Sequence, residues 1–207
     1  MCAKFGKRLI VATHMLESMI EHPVPTRAEV TDVANAIFEQ SDSIMLSGET
    51  SIGKYPVRSV ETLKRIAGRT ESFPGVNFSK NLIKKAKGQH LAASAIQIAS
   101  DLNISAAVVI TRNGRGARYL SNLRPHGITI YSFTDNPKVV TSNMLYRGVY
   151  PFLLELQDNP EDTIQNALKV LKNTGNFSYE EQVIVLANIV TGEGYNTSLQ
   201  IRSIPTG

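Results

Sequence analysis

Three short runs in this chain carry side chains able to do chemistry: ATH at 12–14, LSGET at 46–50 and TRNGRG at 111–116. The first two close apolar runs. Leu9-Ile10-Val11-Ala12 stops at Thr13-His14, and Ile44-Met45-Leu46 stops at Ser47-Gly48-Glu49-Thr50. In α/β barrels and open α/β sheets, sites gather outside the carboxyl ends of strands, and both clusters occupy such ends. The hydroxyls of Thr13 and Ser47 serve equally well there as plain strand-end hydrogen bonders. His14 has no second His, Cys or carboxylate at ligand spacing, which argues against a metal at that point. In the third run Thr111 ends a strand, and Arg112-Asn113-Gly114-Arg115-Gly116 leads into a helix. Glycines let backbone N–H groups curl inward, a helix start adds positive potential, and Arg112 and Arg115 offer guanidinium forks for a phosphate. The pattern lacks the G-K-[ST] ending of a Walker loop, and an ordinary Gly-rich turn is the competing reading. TGEGYNT at 191–197, with Gly192 and Gly194 free to take positive φ, is either a flap or a plain connection.

The elements that must position these groups alternate between strand and helix. After the first strand, PTRAEVTDVANAIFEQ has the T-x-x-E spacing of a capping box at Thr26 and Glu29. Val30, Val33, Ala34 and Ile37 then fall on one helical face. A further helix starts at Pro56 and is expected to bury Val57, Val60, Leu63 and Ile66 or Ala67. From residue 89 the habit repeats: LAASAIQIASDLN, GARYLSNLR, NPKVVTSNMLY and NPEDTIQNALKVLKN read as helices, the last two opened by Asn-Pro. Between them AAVVIT, ITIYSFT, VYPFLLE, EQVIVLANI and SLQIRSI read as strands. Consecutive apolar residues in strands set between amphipathic helices argue a parallel sheet covered on both faces. The last two strands are joined too tightly for a helical crossover and should be antiparallel. TESFPGVNFSKN at 70–81 is rich in loop formers, so the boundary between the two blocks is set near it.

Composition bounds the rest. The chain has 207 residues, 42% of them hydrophobic and 19% charged, the balance of an ordinary globular protein. Its single cysteine, Cys2, excludes an internal disulfide framework and fits a reducing compartment. No apolar run reaches membrane-spanning length, and Leu9–Ala12 is too short for an export signal, so neither a membrane nor secretion is expected. A net charge of +4 suits anionic ligands. The lysines of SKNLIKKAKG (79–88) have no interleaved aromatics beyond Phe78, which favours a solvated face over a nucleic-acid surface.

ATHMLESM, then PTRAEVTDVANAI, then IMLSGET resemble the last part of the catalytic barrel of pyruvate kinase. That family reads A-T-Q-M-L-E-S-M, P-T-R-A-E-x-S-D-V-A-N-A and M-L-S-G-E-T. TRNGRGARYLSNLRP is similar to the T-x-S-G-x-T/S-A-x-x-x-S-x-x-R-P loop and helix of the family's C-terminal domain, and the likeness runs from about Cys2 to Pro205. The resemblance implies the last two βα units of a (β/α)8 barrel at 1–75, a linker or helix at 76–88, and a three-layer α/β/α domain at 89–207. That domain is expected to have a mostly parallel sheet with an antiparallel final pair.

The implied reaction is phosphoryl transfer between phosphoenolpyruvate and ADP, giving pyruvate and ATP, with Mg²⁺ and K⁺, in the cytoplasm. By resemblance Thr13 contacts the substrate near its carboxylate and joins the proton relay to the enolate, while Ser47 and Glu49 belong to the adjoining hydrogen-bond network. The family's metal ligands, lysine and arginine lie on earlier barrel strands. The chain is therefore expected to be a C-terminal portion, inactive alone, of an enzyme that assembles as a homotetramer. Thr111, Arg112, Asn113, Gly114 and Arg115, with Gly194 in the closing loop, are expected to hold a sugar-phosphate or nucleotide effector. A stand-alone, non-catalytic module binding a phosphorylated metabolite is the alternative. Two departures stand out. His14 replaces the family's glutamine, and Gly116 replaces a hydroxyl residue that donates to phosphate.

Overall fold

The structure, a computed structural model, describes residues 1–178, 180–191 and 194–205, with the backbone alone at 188–191 and 194–196. Two compact units result, Met1–Asn81 and Leu82–Gly207. The division falls inside the 76–88 stretch read as a connection.

In the first unit β1 (Ile10–Val11) pairs parallel with β2 (Ser43–Ile44). Helices α1 (Arg27–Phe38), α2 (Gly48–Ser51) and α3 (Pro56–Glu71) follow these strands in sequence, and a 3₁₀ turn spans Glu17–Ile20. Both strands are shorter than their apolar runs, and Met45, expected inside, is exposed. A two-stranded ladder leaves its outer edges and much of its faces uncovered, so the ends of each run are not held. The core is built from Leu16, Met19, Val33 and Ile37, with Leu63, Ile66 and Ala67 of α3 packed against it. Val30 is exposed rather than inward. Val57 and Val60 also face outward, 71% and 50% exposed, while Ser59 and Thr62 are buried. The later turns of α3 meet the core through Leu63, Ile66 and Ala67, whereas its first turns carry their valines on the open side.

The second unit is a sheet of order β5-β4-β3-β6-β7. Its strands are β3 (Ala106–Ile110), β4 (Thr129–Thr134), β5 (Val149–Leu153), β6 (Gln182–Thr191) and β7 (Gly194–Ser203). The β3–β4, β4–β5 and β3–β6 pairs are parallel, and β6–β7 is antiparallel, closing at Thr191 opposite Gly194. Helices α4 (Lys87–Asp101), α5 (Arg115–Ser121), α6 (Pro137–Asn143) and α7 (Pro160–Asn173) complete the unit. Alternation along β3 serves two layers. Ala107 and Val109 meet α4 and α5 through Ala92, Ala95 and Leu120, whereas Ala106 and Val108 meet α7 through Ile164, Leu168 and Leu171. The alanines of α4 let it approach the sheet closely. Asn136 and Asn159 cap α6 and α7 by accepting from the N–H groups of Lys138 and Glu161, with proline in the first turn of each helix as their Asn-Pro openings predict.

The chain lays down β3, β4 and β5 towards one edge, then returns to place β6 on the other side of β3. A crevice opens at such a reversal, outside the carboxyl ends of β3 and β6.

Candidate functional site

Each unit carries one candidate site. In the first, Thr13 and His14 come directly after β1 and both take left-handed backbone angles, φ +72° and +51°. Consecutive non-glycine residues there, one of them β-branched, cost on the order of 1–3 kcal/mol each and persist only where the surroundings impose them. What imposes them is the buried segment that follows, Met15 and Leu16. Leu16 N–H donates to Glu49 Oε1 at 3.0 Å, and Ser47 N–H donates to Glu49 Oε2 at 2.8 Å. One carboxylate thus ties the two strand-end clusters together. Glu49 is only 3% exposed. Burial works to raise its carboxyl, but the N–H groups of Glu49, Ser47 and Leu16 outweigh that and hold it below the ordinary carboxylate value. It is an anionic clamp, while Thr13 and Ser47 stay exposed at the rim.

His14 is not without a neighbouring carboxylate, as its spacing suggested. Its Nδ1 lies 2.6 Å from Glu17 Oε2, one turn onward, in an exposed pair. Among the described residues no group of three His, Cys, Asp or Glu side chains is placed to hold a metal ion.

Sequence reading missed a second clamp. The capping box of α1 forms, but Glu29 also accepts from Ser18 N–H at 2.7 Å and from Ser18 Oγ at 2.6 Å, besides Thr26 N–H at 2.7 Å. Burial works to raise its carboxyl; the bonds from Ser18 and Thr26 overcome it and keep the group below its usual value. The T-x-x-E spacing announced the cap, but nothing local announced Ser18.

In the second unit a cavity of about 790 Å³ opens at the crevice between β3 and β6. One wall is the β3–α5 loop, with Thr111, Arg112, Asn113 and Arg115; another is the β5–α7 connection, with Gln157, Asp158, Pro160 and Thr163. Ala86 and Gly88, at the start of α4, close a third side. The starts of α4 and α7 therefore border the cavity, and their helix ends add positive potential at its edge. The α5 start contributes less than its sequence suggests, because that helix runs only seven residues. Positive charge comes instead from Arg112 and Arg115.

The loop is held from beneath. Gly114 has φ +74°, and a Cβ there would lie 2.8 Å from Asn143 Oδ1, so glycine is required by angle and by space. Asn143 is buried, its Nδ2 donating to Ser132 Oγ at 3.1 Å. Asn113 Oδ1 accepts from Arg115 N–H at 3.2 Å, and Arg112 Nη1 sits 3.6 Å from Asp135 Oδ2. Thr163 Oγ1 accepts from Gln157 N–H at 2.8 Å and pins the facing wall. Gly116 acquires a reason as well. A Cβ there would meet Val109 Cγ2 at 2.6 Å, so in this chain the branched side chain of Val109 fills the space a hydroxyl residue would need. Gly194 opens β7 opposite Thr191; residues 192 and 193 of the flap motif lie outside the described residues.

Comparison with known proteins agrees with both halves. The family model described as "Pyruvate kinase, barrel domain" matches residues 1–60, and "Pyruvate kinase, alpha/beta domain" matches residues 89–201. Pyruvate kinase isozyme G, chloroplastic, of Ricinus communis is 42% identical over 188 residues, covering 89% of this chain and 44% of the relative. Plastidial pyruvate kinase 3 of Arabidopsis thaliana is 40% identical over 213 residues, covering 100% of this chain and 37% of the relative. The solved structure of Cryptosporidium parvum pyruvate kinase in complex with ADP superimposes with a TM-score of 0.88 at 33% identity. It covers 99% of this chain and 42% of that one. The chain thus spans less than half the length of each. The architecture is the end of a barrel domain followed by an α/β domain. The chain belongs to the pyruvate kinase family.

Proposed function

We propose that this chain supplies a later portion of a pyruvate kinase, including one rim of its phosphoenolpyruvate site and an effector domain. In the reaction the bond between phosphorus and the enol oxygen breaks and a bond to a terminal oxygen of ADP forms. The enolate left behind takes a proton at its methylene carbon. Thr13, exposed on a strained turn, is assigned contact with the substrate carboxylate and a place in the proton relay. Ser47 stands beside it, and Glu49 positions both turns as a fixed anion rather than by giving up a proton. Mg²⁺ and K⁺ are implied by the family and neutralise the phosphates when bound. The described residues do not fit a metal, so those ligands are assigned to other parts of a full-length enzyme. On this reading the isolated chain is inactive, and the full enzyme is a homotetramer. It works in the cytoplasm or, like the relatives named as chloroplastic, in a plastid.

The observation that carries the reading is the Glu49 clamp: it binds together the two strand-end motifs that match the family. A chimaera tests it, with residues 1–207 replacing the matching part of the Ricinus communis relative. Turnover should persist, fall by about 10²-fold or more in Thr13→Val, and fall with Glu49→Gln. A folded chimaera whose turnover ignores Thr13→Val would contradict the assignment.

The cavity favours a regulatory role for the second unit, either within the enzyme or as a stand-alone module. Arg112 and Arg115, with Thr111, Asn113 and Gly114 shaping the loop and Gly194 opening the hairpin, are proposed to bind a sugar phosphate or nucleotide. Titration with phosphate esters, followed by thermal shift, should stabilise the chain and lose its effect in Arg112→Ala with Arg115→Ala.

A further inference from the structure

The charges around the cavity are lopsided. Among the described residues, the two cationic side chains that line it, Arg112 and Arg115, belong to the β3–α5 loop. The facing β5–α7 wall carries Asp158 as its charged member, beside the uncharged Gln157 and Thr163. Lys84, Lys85 and Lys87 are exposed near the third side, yet the cavity is bordered there by Ala86 and Gly88.

Accepting the proposal that this cavity is a phosphate-ester site, we infer that it selects a ligand bearing one phosphate on an uncharged, hydroxyl-rich body, and disfavours the matching bisphosphate. The phosphate lies on the Arg112–Arg115 side, where guanidinium forks meet its oxygens. The body lies against Gln157, Thr163 and Asp158, an amide, a hydroxyl and a carboxylate suited to sugar hydroxyls. Thr163 already accepts the Gln157 N–H, so its own hydroxyl proton is available to donate. A second phosphate on that side would sit beside Asp158 and add repulsion between like charges instead of a second ion pair. A volume of about 790 Å³ accommodates a sugar or nucleoside monophosphate.

The test is calorimetric titration of the full chain at fixed ionic strength with fructose 6-phosphate, fructose 1,6-bisphosphate and inorganic phosphate. The monophosphate should bind about tenfold or more tightly than the bisphosphate. Asp158→Asn should close that gap by strengthening the bisphosphate, and Arg112→Ala with Arg115→Ala should abolish binding of both sugars. These side chains are exposed, so a melting curve on each variant checks that the fold is intact. A bisphosphate that binds as tightly as the monophosphate, with both lost in the arginine variant, would overturn the selectivity and leave the phosphate site standing. A gap unchanged by Asp158→Asn would overturn the role of that carboxylate. Absence of binding by all three probes would remove the phosphate-site reading and the inference with it.

Discussion

The two units hold their functional loops by different means. In Leu82–Gly207 five strands and helices on both faces bury a core on each side of the sheet, and the β3–α5 loop is positioned by packing: Gly114 against Asn143, Gly116 against Val109. In Met1–Asn81 the ladder is two residues long on each strand, and the turns after the strands are fixed chiefly by two carboxylates, Glu49 and Glu29. Where a sheet is extensive, close packing sets the site; where it is short, charged acceptors for backbone N–H groups take over. The contrast predicts that the units fail under different insults.

The largest expected effect is in the packed unit. Leu168→Ala, at a position 1% exposed, should lower the stability of the second unit by about 2–5 kcal/mol. Hydrogen exchange resolved by residue should show the first unit unchanged. Next comes Glu49→Ala, which strands the N–H groups of Leu16 and Ser47 and should cost about 1.5–3 kcal/mol, concentrated in the first unit. Amide exchange at those two positions should accelerate most. Gly116→Ser should cost about 1–3 kcal/mol through contact with Val109, and Val109→Ala in the same chain should recover part of it.

The pH responses should separate too. Glu49 and Glu29 are held below their ordinary values, so their contribution is complete above the unfolded carboxylate range and is lost as pH falls through the folded values. The first unit should therefore loosen first in acid. Burial raises the Tyr131 hydroxyl in the second unit, helped by the nearby Tyr150 and Glu181. Its contribution is complete below the unfolded tyrosine value and is lost as pH climbs through the higher folded one, so that unit should loosen in alkali. The smallest effect is expected from Asp135→Asn, since its pairing with Arg112 is long and solvent-exposed; stability should move by about 0.5 kcal/mol or less.

Much of the second unit was legible in the sequence. Apolar strands punctuated by Asn-Pro helix starts gave the element order, and the short final connection gave the antiparallel pair. The strand order was not legible, because the return of β6 beside β3 is a long-range choice, and with it went the location of the cavity and the part played by Asp158 and Thr163. In the first unit the strand-end positions of Thr13 and Ser47 were readable, as was the cap at Thr26. On α3 the inward placement of Leu63, Ile66 and Ala67 was readable but the exposure of Val57 and Val60 was not, since which part of a helix is covered depends on its neighbours rather than its periodicity. Glu49 looked like one more polar residue at a strand end. Its role as a clamp rests on a contact with Leu16, 33 residues earlier, that no local pattern signals.

The central claim is that the first unit contributes one rim of an active site whose cations come from elsewhere. An assay of phosphoryl transfer by the purified chain, with phosphoenolpyruvate, ADP, Mg²⁺ and K⁺, tests it most directly. Pyruvate should form no faster than the background without protein. Sustained turnover that is abolished by Thr13→Val would contradict it, because the residues 1–207 would then hold a complete site.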